Sequence, residues 1–238
     1  MQIEVAGTYK DCQLLDLEGK TAVVIDVLRA TTVIATALYH GATAIVPAES
    51  EKQARQIFDQ YSTGKALLAG ERNAMKIEGF HLGNSPLEYQ RENIAGQTII
   101  LSTTNGTRAL KQSIAAGETI AASFVNITAV TNYLANKSNN IVIICSGTAG
   151  KFSLDDALCA GMLISLISEQ SQVKTDDLGS LVLQFYGSET GNIANKLQNC
   201  FHLKYLQANG YQQDIDYCLQ PDQLDVVPVL KDGKMQKL

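Results

Sequence analysis

Ala22-Val23-Val24-Ile25-Asp26-Val27-Leu28-Arg29-Ala30-Thr31-Thr32 carries the strongest structural signal in the chain. An apolar, largely β-branched run ends at a single carboxylate, and an arginine and two adjacent hydroxyls follow it. The period then changes: Val33-Ile34-Ala35-Thr36-Ala37-Leu38 reads as a helix closed by His40-Gly41. A strand therefore feeds a helix, with Asp26 at the strand's carboxyl end and Thr31 or Thr32 where the helix opens. Open α/β sheets bind ligands there, because strand ends and free helix N–H groups face one crevice. Ending an apolar strand on a charge is costly unless the charge is paired, solvated or used, which makes Asp26 the leading functional candidate.

Outward from this unit, strand-like and helix-like segments alternate, the pattern of an α/β protein with a largely parallel sheet. Thr43–Pro47 reads as a strand, Glu51–Tyr61 as an amphipathic helix, and Lys65–Ala69 as a strand ending at Gly70-Glu71-Arg72. Ser85-Pro86-Leu87-Glu88 has the form of a helix start, with Ser85 as cap and Glu88 closing a capping box. Thr98–Leu101 predicts a strand and the residues up to Ala116 a helix stopped by Gly117. Ile120–Phe124 and Asn140–Cys145 predict two further strands, with a helix over Ile127–Ala135 between them. Ser153 should cap a helix reaching Ser168. Beyond Asp176 the chain turns mainly helical up to Asn209-Gly210, and a hairpin around Asp232-Gly233 closes it. No linker or repeat interrupts residues 1–238, so one domain is expected, with only a weak boundary near residue 175.

The 238 residues are 45% hydrophobic and 18% charged, with a net charge of −5 and no run of Lys or Arg. That balance argues against nucleic acid or an acidic membrane surface as partner, yet leaves room for a small anionic ligand in a cleft. No apolar stretch has the length of a membrane span and Met1-Gln2-Ile3-Glu4 is not a signal peptide, so the cytoplasm is the expected location. The five cysteines are odd in number and lack a CxxC, and the three histidines are far apart, which gives zinc little support. A chain of this size is commonly a symmetric homo-oligomer, a dimer or larger.

Four polar, strand-ending corners recur: Asp26–Thr32, Gly70–Arg72, Thr103–Arg108 and Ser146–Gly150. Each offers backbone N–H groups, short hydroxyls or a guanidinium, the inventory for holding a phosphate or sulfonate. Arg29, Arg72 and Arg108 each follow a predicted strand and are expected to meet at one edge of the sheet. The nearby carboxylates, Asp26, Glu71, Asp155 and Asp156, are hard oxygen ligands suited to Mg2+, which takes one or two carboxylates plus substrate oxygens and water. Plainer readings stand beside these. Ser85 and Ser153 cap helices, Asp156 is a capping-box acid, and Asn105-Gly106 is a turn. Asp176-Asp177 and Asp214-Ile215-Asp216 read as solvated surface.

With the corners assembled, the chain resembles the 2-phosphosulfolactate phosphatase family. The matching blocks are Val24–Thr32, Gly70-Glu71-Arg72, Gly79-Phe80 with Leu82–Tyr89, Thr103–Leu110, Cys145–Thr148, Phe152-Ser153-Leu154 and Asp156–Gly161. They cover roughly residues 22–161 in the family's order. His81 and Asp155 depart from it, standing where the family carries an acid and a glutamate.

The resemblance implies a three-layer α/β/α fold and a magnesium-dependent phosphatase that hydrolyses the phosphate ester of a sulfonated 2-hydroxy acid, in a pathway toward coenzyme M. In the working assignment Asp26, Arg29, Glu71, Arg72, Asn105 and Arg108 carry catalysis, and Asp26, Glu71 and Asp155 hold Mg2+. Thr31, Thr32, Thr103, Thr104, Gly106, Thr107, Ser146 and Gly147 contact the phosphorylated substrate, and Asn84 and Ser85 contact its acid group. Asp26 acts as metal ligand, as general base, or as a covalent nucleophile; Leu28 stands where aspartyl-phosphate enzymes carry a second Asp. A binding protein without turnover, and a phosphotransferase or lyase on a similar acid, are the rival readings.

Overall fold

One sheet runs through the chain in the computed structural model, which describes residues 1–188 and 192–238. In chain order the first half comprises β1 (Gln2–Ala6), β2 (Thr21–Ile25), α1 (Ala30–Tyr39), β3 (Ala44–Pro47), α2 (Glu51–Phe58), β4 (Ala66–Arg72), β5 (Met75–Lys76), α3 (Arg91–Ile94), β6 (Thr98–Ser102) and α4 (Gly106–Gln112). Then follow β7 (Glu118–Ala122), α5 (Ile127–Ala135), β8 (Ile141–Cys145), α6 (Leu154–Gln170), β9 (Lys174–Thr175), α7 (Asp177–Gly187), α8 (Ile193–Lys196), α9 (Phe201–Ala208), α10 (Gln212–Cys218), β10 (Pro228–Lys231) and β11 (Lys234–Lys237). Strand order is β5-β4-β6-β3-β11-β10-β7-β2-β8-β1-β9.

β2 sits between β7 and β8, parallel to both, and all five of its residues are buried. The two-residue period of a strand divides them between two cores. Val23 and Ile25 join Ile120, Ile143, Leu158 and Leu163 on the side of α5 and α6, and α7 packs on α6. Ala22 and Val24 face Val33, Ile34, Leu110 and Ile144 on the side of α1 and α4. A parallel strand covered on both faces must be apolar throughout, which is why this segment reads so clearly. Helix, sheet and helix make the three layers.

The closing hairpin enters the middle of the sheet instead of extending its edge. β11 pairs antiparallel with β3 at Met235–Ile45, and β10 with β7 at Val229–Ile120, so the pair joins two parallel halves. The sheet is therefore mixed. α1 packs against β3, β7, β10 and β11, and Ala30–Leu38 are all buried. A helix buried on every side belongs in a protein interior, and its three threonines turn their hydroxyls onto backbone carbonyls.

Several local expectations change. α2 ends at Phe58, and β4 continues through Gly70-Glu71-Arg72, which lie within the strand rather than after it. Gly70 allows this at φ +148°, because a Cβ there would clash with the Ser102 carbonyl on β6. Pro86–Glu88 is a short 3-10 turn without a capping box: Glu88 accepts the Gly83 N–H, and Ser85 turns elsewhere. Ser153 precedes α6 but its hydroxyl goes to Asp155 and caps nothing, and Asp156 is no capping-box acid but accepts the Val27 and Gly147 N–H groups. Asp176 is not free surface; it caps α7 through Gly179 N–H and accepts Val5 N–H. The helical stretch after Asp176 is α7 to α10, with 189–191 outside the described residues. No helix among the described residues is long and apolar enough to cross a membrane.

Candidate active site

Asp26 leaves β2 into a corner built around its own backbone. Its N–H donates to Thr31 Oγ1 at 2.9 Å, and the same hydroxyl donates back to the Asp26 carbonyl. Thr32 Oγ1 donates to the Val27 carbonyl. Both threonines are thus spent on shaping the strand-to-helix turn, not on the substrate contact expected of them. The corner aims the carboxylate into a cleft, with Oδ1 accepting the Ala30 N–H at 3.1 Å.

The N-terminal end of α4 comes against that carboxylate. A Cβ on Gly106 would lie 2.5 Å from Ala30 Cβ and 2.7 Å from Asp26 Oδ2, so only glycine permits the approach. Gly106→Ala is therefore expected to cost about 1–3 kcal/mol of stability through overpacking. It should also lower kcat/KM by about 10²-fold, as a displacement near 1 Å does. Thermal melts and phosphate-release kinetics check both. Thr107 donates its N–H and hydroxyl to Thr103, holding the corner but not reaching the cleft.

Glu71 is buried and faces the same cleft from β4. Its Oε1 accepts from Thr104 N–H and Oγ1–H, and its Oε2 from the Ala74 N–H. Asn84 and Asn105 also line the cleft, and the Oδ1 of each is buried without a protein donor. Such atoms are aimed at something that donates: a substrate hydroxyl or the hydration shell of a cation.

The three arginines do not converge. Arg29 lines the cleft and is 2% exposed, with Nη1 on Asp214 at 2.5 Å, Nη2 on the Ala74 carbonyl, and the guanidinium 4.1 Å from the Tyr211 ring centroid. Asp214, expected on the surface, is its buried counter-ion and accepts the Ser85 hydroxyl as well. α10 turns Asp214, Ile215 and Cys218 inward on one face. Arg72 straps β4 to β6 through Ser102 O and Oγ. Arg108 leaves on the opposite side of its helix, donates to the Tyr9 hydroxyl, and lines a separate shallow groove with Glu49, Gln53 and Lys111. On a short helix whose Gly106 end touches Asp26, Arg108 cannot face the same cleft.

Ser146 and Gly147 hold the neighbouring loop: Ser146 N–H donates to the Ile25 carbonyl and Gly147 N–H to Asp156. Thr148 and Ala149 reach the cleft in their place. Asp155, expected to hold the metal with Asp26 and Glu71, lies behind the wall at 1% exposure and does not line the cleft. In front of it stands His202, on α9 with Phe201 and Tyr205, all three lining the cleft. His202 Nδ1 is 3.6 Å from Asp155 Oδ2. Sequence reasoning missed His202, since a lone histidine opening a polar helix carries no local mark.

Burial raises the Asp26 carboxyl to about 6, with Asp155 and Glu71 adding to it and His202 and the Ala30 N–H opposing it. Asp156 is raised well above the ordinary carboxyl range by burial and by its acidic neighbours. Among the described residues no three His, Cys, Asp or Glu side chains close into a complete metal-ligand set. The donors present at the cleft are of the kind that suits magnesium, and Asp26 and Glu71 are the two carboxylates there that could hold it.

A cleft at the carboxyl ends of β2, β4 and β6, walled by carboxylates, one guanidinium and threonine hydroxyls, defines an α/β enzyme for small anionic esters. The family model described as 2-phosphosulpholactate phosphatase matches residues 8–233, and the chain belongs to that family. A Caldanaerobacter subterraneus subsp. tengcongensis protein is 42% identical over 233 residues, covering 98% of this chain and 97% of its own. A Clostridium perfringens (strain SM101) protein is 41% identical over 238 residues, covering 99% and 95%. One from Thermotoga maritima is 42% identical over 220 residues, covering 91% and 92%. All three bear the name "Probable 2-phosphosulfolactate phosphatase".

Proposed function

We propose that this protein hydrolyses the phosphate monoester of a small 2-phospho acid, with 2-phosphosulfolactate as the foremost substrate, and that it requires magnesium. The observation that carries the reading is one cleft holding Asp26, Glu71, Arg29 and the Thr103–Asn105 corner together, in a chain belonging to a phosphatase family. Phosphoryl transfer demands mainly positioning and charge neutralisation. Arg29 has only two of its donors committed, to Asp214 and Ala74, and turns the others to a phosphoryl group. The Thr103–Asn105 corner lines the cleft with it. Asp26, held near neutrality in its titration, accepts a proton from the attacking water or ligates the cation. Asp26 and Glu71 would hold Mg2+, which when bound would polarise a phosphoryl oxygen. Asn84 and the wall formed by Thr148, Phe201 and Tyr205 take the acid group and carbon frame of the substrate. The cavity is about 220 Å³, sized for a small acid rather than a nucleotide.

The cytoplasm and a homo-oligomeric state belong to the same proposal. All five cysteines are buried and unpaired, as a reducing compartment favours.

The test is phosphate release from 2-phosphosulfolactate, 2-phospholactate and phosphoglycolate, with magnesium and with EDTA. Release that EDTA abolishes and magnesium restores is the expected result, with the sulfonate ester ranked first. Folded protein that releases phosphate from none of them overturns the enzymatic reading and leaves a binding protein. Equal turnover in EDTA removes the metal while keeping the phosphatase.

A further inference from the structure

An alkyl phosphate ester leaves as an alkoxide, a poor leaving group unless a proton reaches it as the bond breaks. Few groups in the cleft can deliver one. Arg29 does not lose its proton, and the Thr104 hydroxyl is committed to Glu71. Asp26 is assigned to the attacking water or the cation.

His202 is differently placed. It opens α9 on the cleft wall, its side chain 15% exposed, and Nδ1 is turned to Asp155 Oδ2 at 3.6 Å. Among the described residues no protein acceptor meets Nε2, the nitrogen left for the cleft. Asp155 is itself fixed, its Oδ1 accepting the Ser153 hydroxyl and the Cys200 thiol. Its Oδ2 is buried with no hydrogen-bond donor, so the imidazole is its counter-charge. An acid–base imidazole oriented from behind by a buried carboxylate is a recurrent catalytic arrangement, and such contacts are commonly long before substrate binds.

We propose that His202 is the general acid of the hydrolysis, donating its Nε2 proton to the ester oxygen of the leaving 2-hydroxy acid, with Asp155 as its positioning residue. The proposal rests on the phosphomonoesterase reading above and adds the residue that handles the leaving group. Water oxygen bonds to phosphorus as the phosphorus–ester oxygen bond breaks. The electron pair stays on the ester oxygen, which takes the imidazolium proton to become the alcohol. One proton of the water remains on the product phosphate; the other passes to solvent through Asp26, and the neutral imidazole recovers one from solvent.

The charges around the ring support the protonated form. Asp155 faces it from α6, Asp26 from the end of β2 and Arg29 from the following corner, with the Cys200 thiol at the start of α9. Burial disfavours the charged ring, but Asp155 first and Asp26 after it outweigh burial and Arg29, so His202 titrates above the ordinary histidine value.

The experiment compares two esters on wild type and His202→Gln with magnesium present: 2-phosphosulfolactate, which leaves as an alkoxide, and p-nitrophenyl phosphate, whose phenolate leaves unaided. The expected result is a loss of about 10²–10⁴-fold in kcat on the alkyl ester and less than about tenfold on the aryl ester. Equal losses on both overturn the proposal while wild-type turnover keeps the phosphatase reading. A wild type inactive on both esters overturns the phosphatase reading, and this proposal with it. If His202→Gln does not fold, the wild-type pH profile decides. Alkyl-ester turnover should fall on the alkaline side as the imidazolium deprotonates, while aryl-ester turnover does not; parallel profiles overturn the assignment.

Discussion

Asp26→Asn is expected to lower phosphate release by about 10²–10³-fold and, in the same protein, to raise the melting temperature. The activity loss follows from removing a carboxylate that lines the cleft, at the level mutagenesis finds for preorganised charge. The stability gain follows from the cost of burying that charge. Asp26 is 7% exposed and its carboxyl stands at about 6 against an ordinary 3.8. The folded state therefore holds a proton that the unfolded chain has already lost. Stability falls as pH rises from about 4 to about 6, and above that the ionised group costs the fold about 3 kcal/mol. Asparagine keeps an acceptor for the Ala30 N–H without the charge. Melts of both proteins in EDTA at pH 5 and pH 7.5 test this: the variant should gain several degrees at pH 7.5 and about half as much at pH 5. A variant less stable at pH 7.5 shows that Asp26 is a structural acceptor first. A variant with wild-type turnover removes it from the chemistry.

Asp214→Ala should be the most damaging single change to the fold. Arg29 and Asp214 are almost fully buried, at 2% and 5% side-chain exposure, and meet at 2.5 Å. Breaking such a pair leaves an uncompensated charge in the interior, which typically costs about 3–5 kcal/mol. The Ser85 hydroxyl loses its acceptor in the same step. For a chain of this size a melting temperature lower by roughly 6–20 °C is expected. Substrate affinity should also fall, because a guanidinium without its partner no longer holds its place in the cleft. Arg29→Met combined with Asp214→Leu separates the two effects: stability should largely return while activity stays lost. If the single variant melts with the wild type, water enters the site and the pair is not the buried anchor described.

How much of this could be read from residues alone depends on how far apart the partners lie. Val23–Ile25 declare a strand buried on both faces, and the change of period after Asp26 declares the helix that follows, because both signals are local. Glu71, Asn84, Thr103, Thr104 and Asn105 were likewise legible as cleft residues, since each ends or follows an apolar strand or sits in a family block. The ion pair of Arg29 with Asp214 spans 185 positions, and nothing beside Asp214 distinguishes a buried counter-ion from a solvated acid. The same holds for His202 in front of Asp155, two residues on separate helices whose pairing exists only once α9 lies over α6. Arg72 and Arg108 show the converse. Their sequence positions match a phosphate site, but strand pairing turns one into a strap and helix phase turns the other away. The closing hairpin was visible as a hairpin, through Asp232-Gly233, while its place between β3 and β7 was not. Sequence alone determined the elements, the family and the carboxylate at the strand end, because hydrophobic period and turn chemistry act over a few residues. Tertiary structure decided which charges pair, which arginine lines the cleft and which histidine stands at it, because burial and Coulomb energy depend on distance in space and not along the chain.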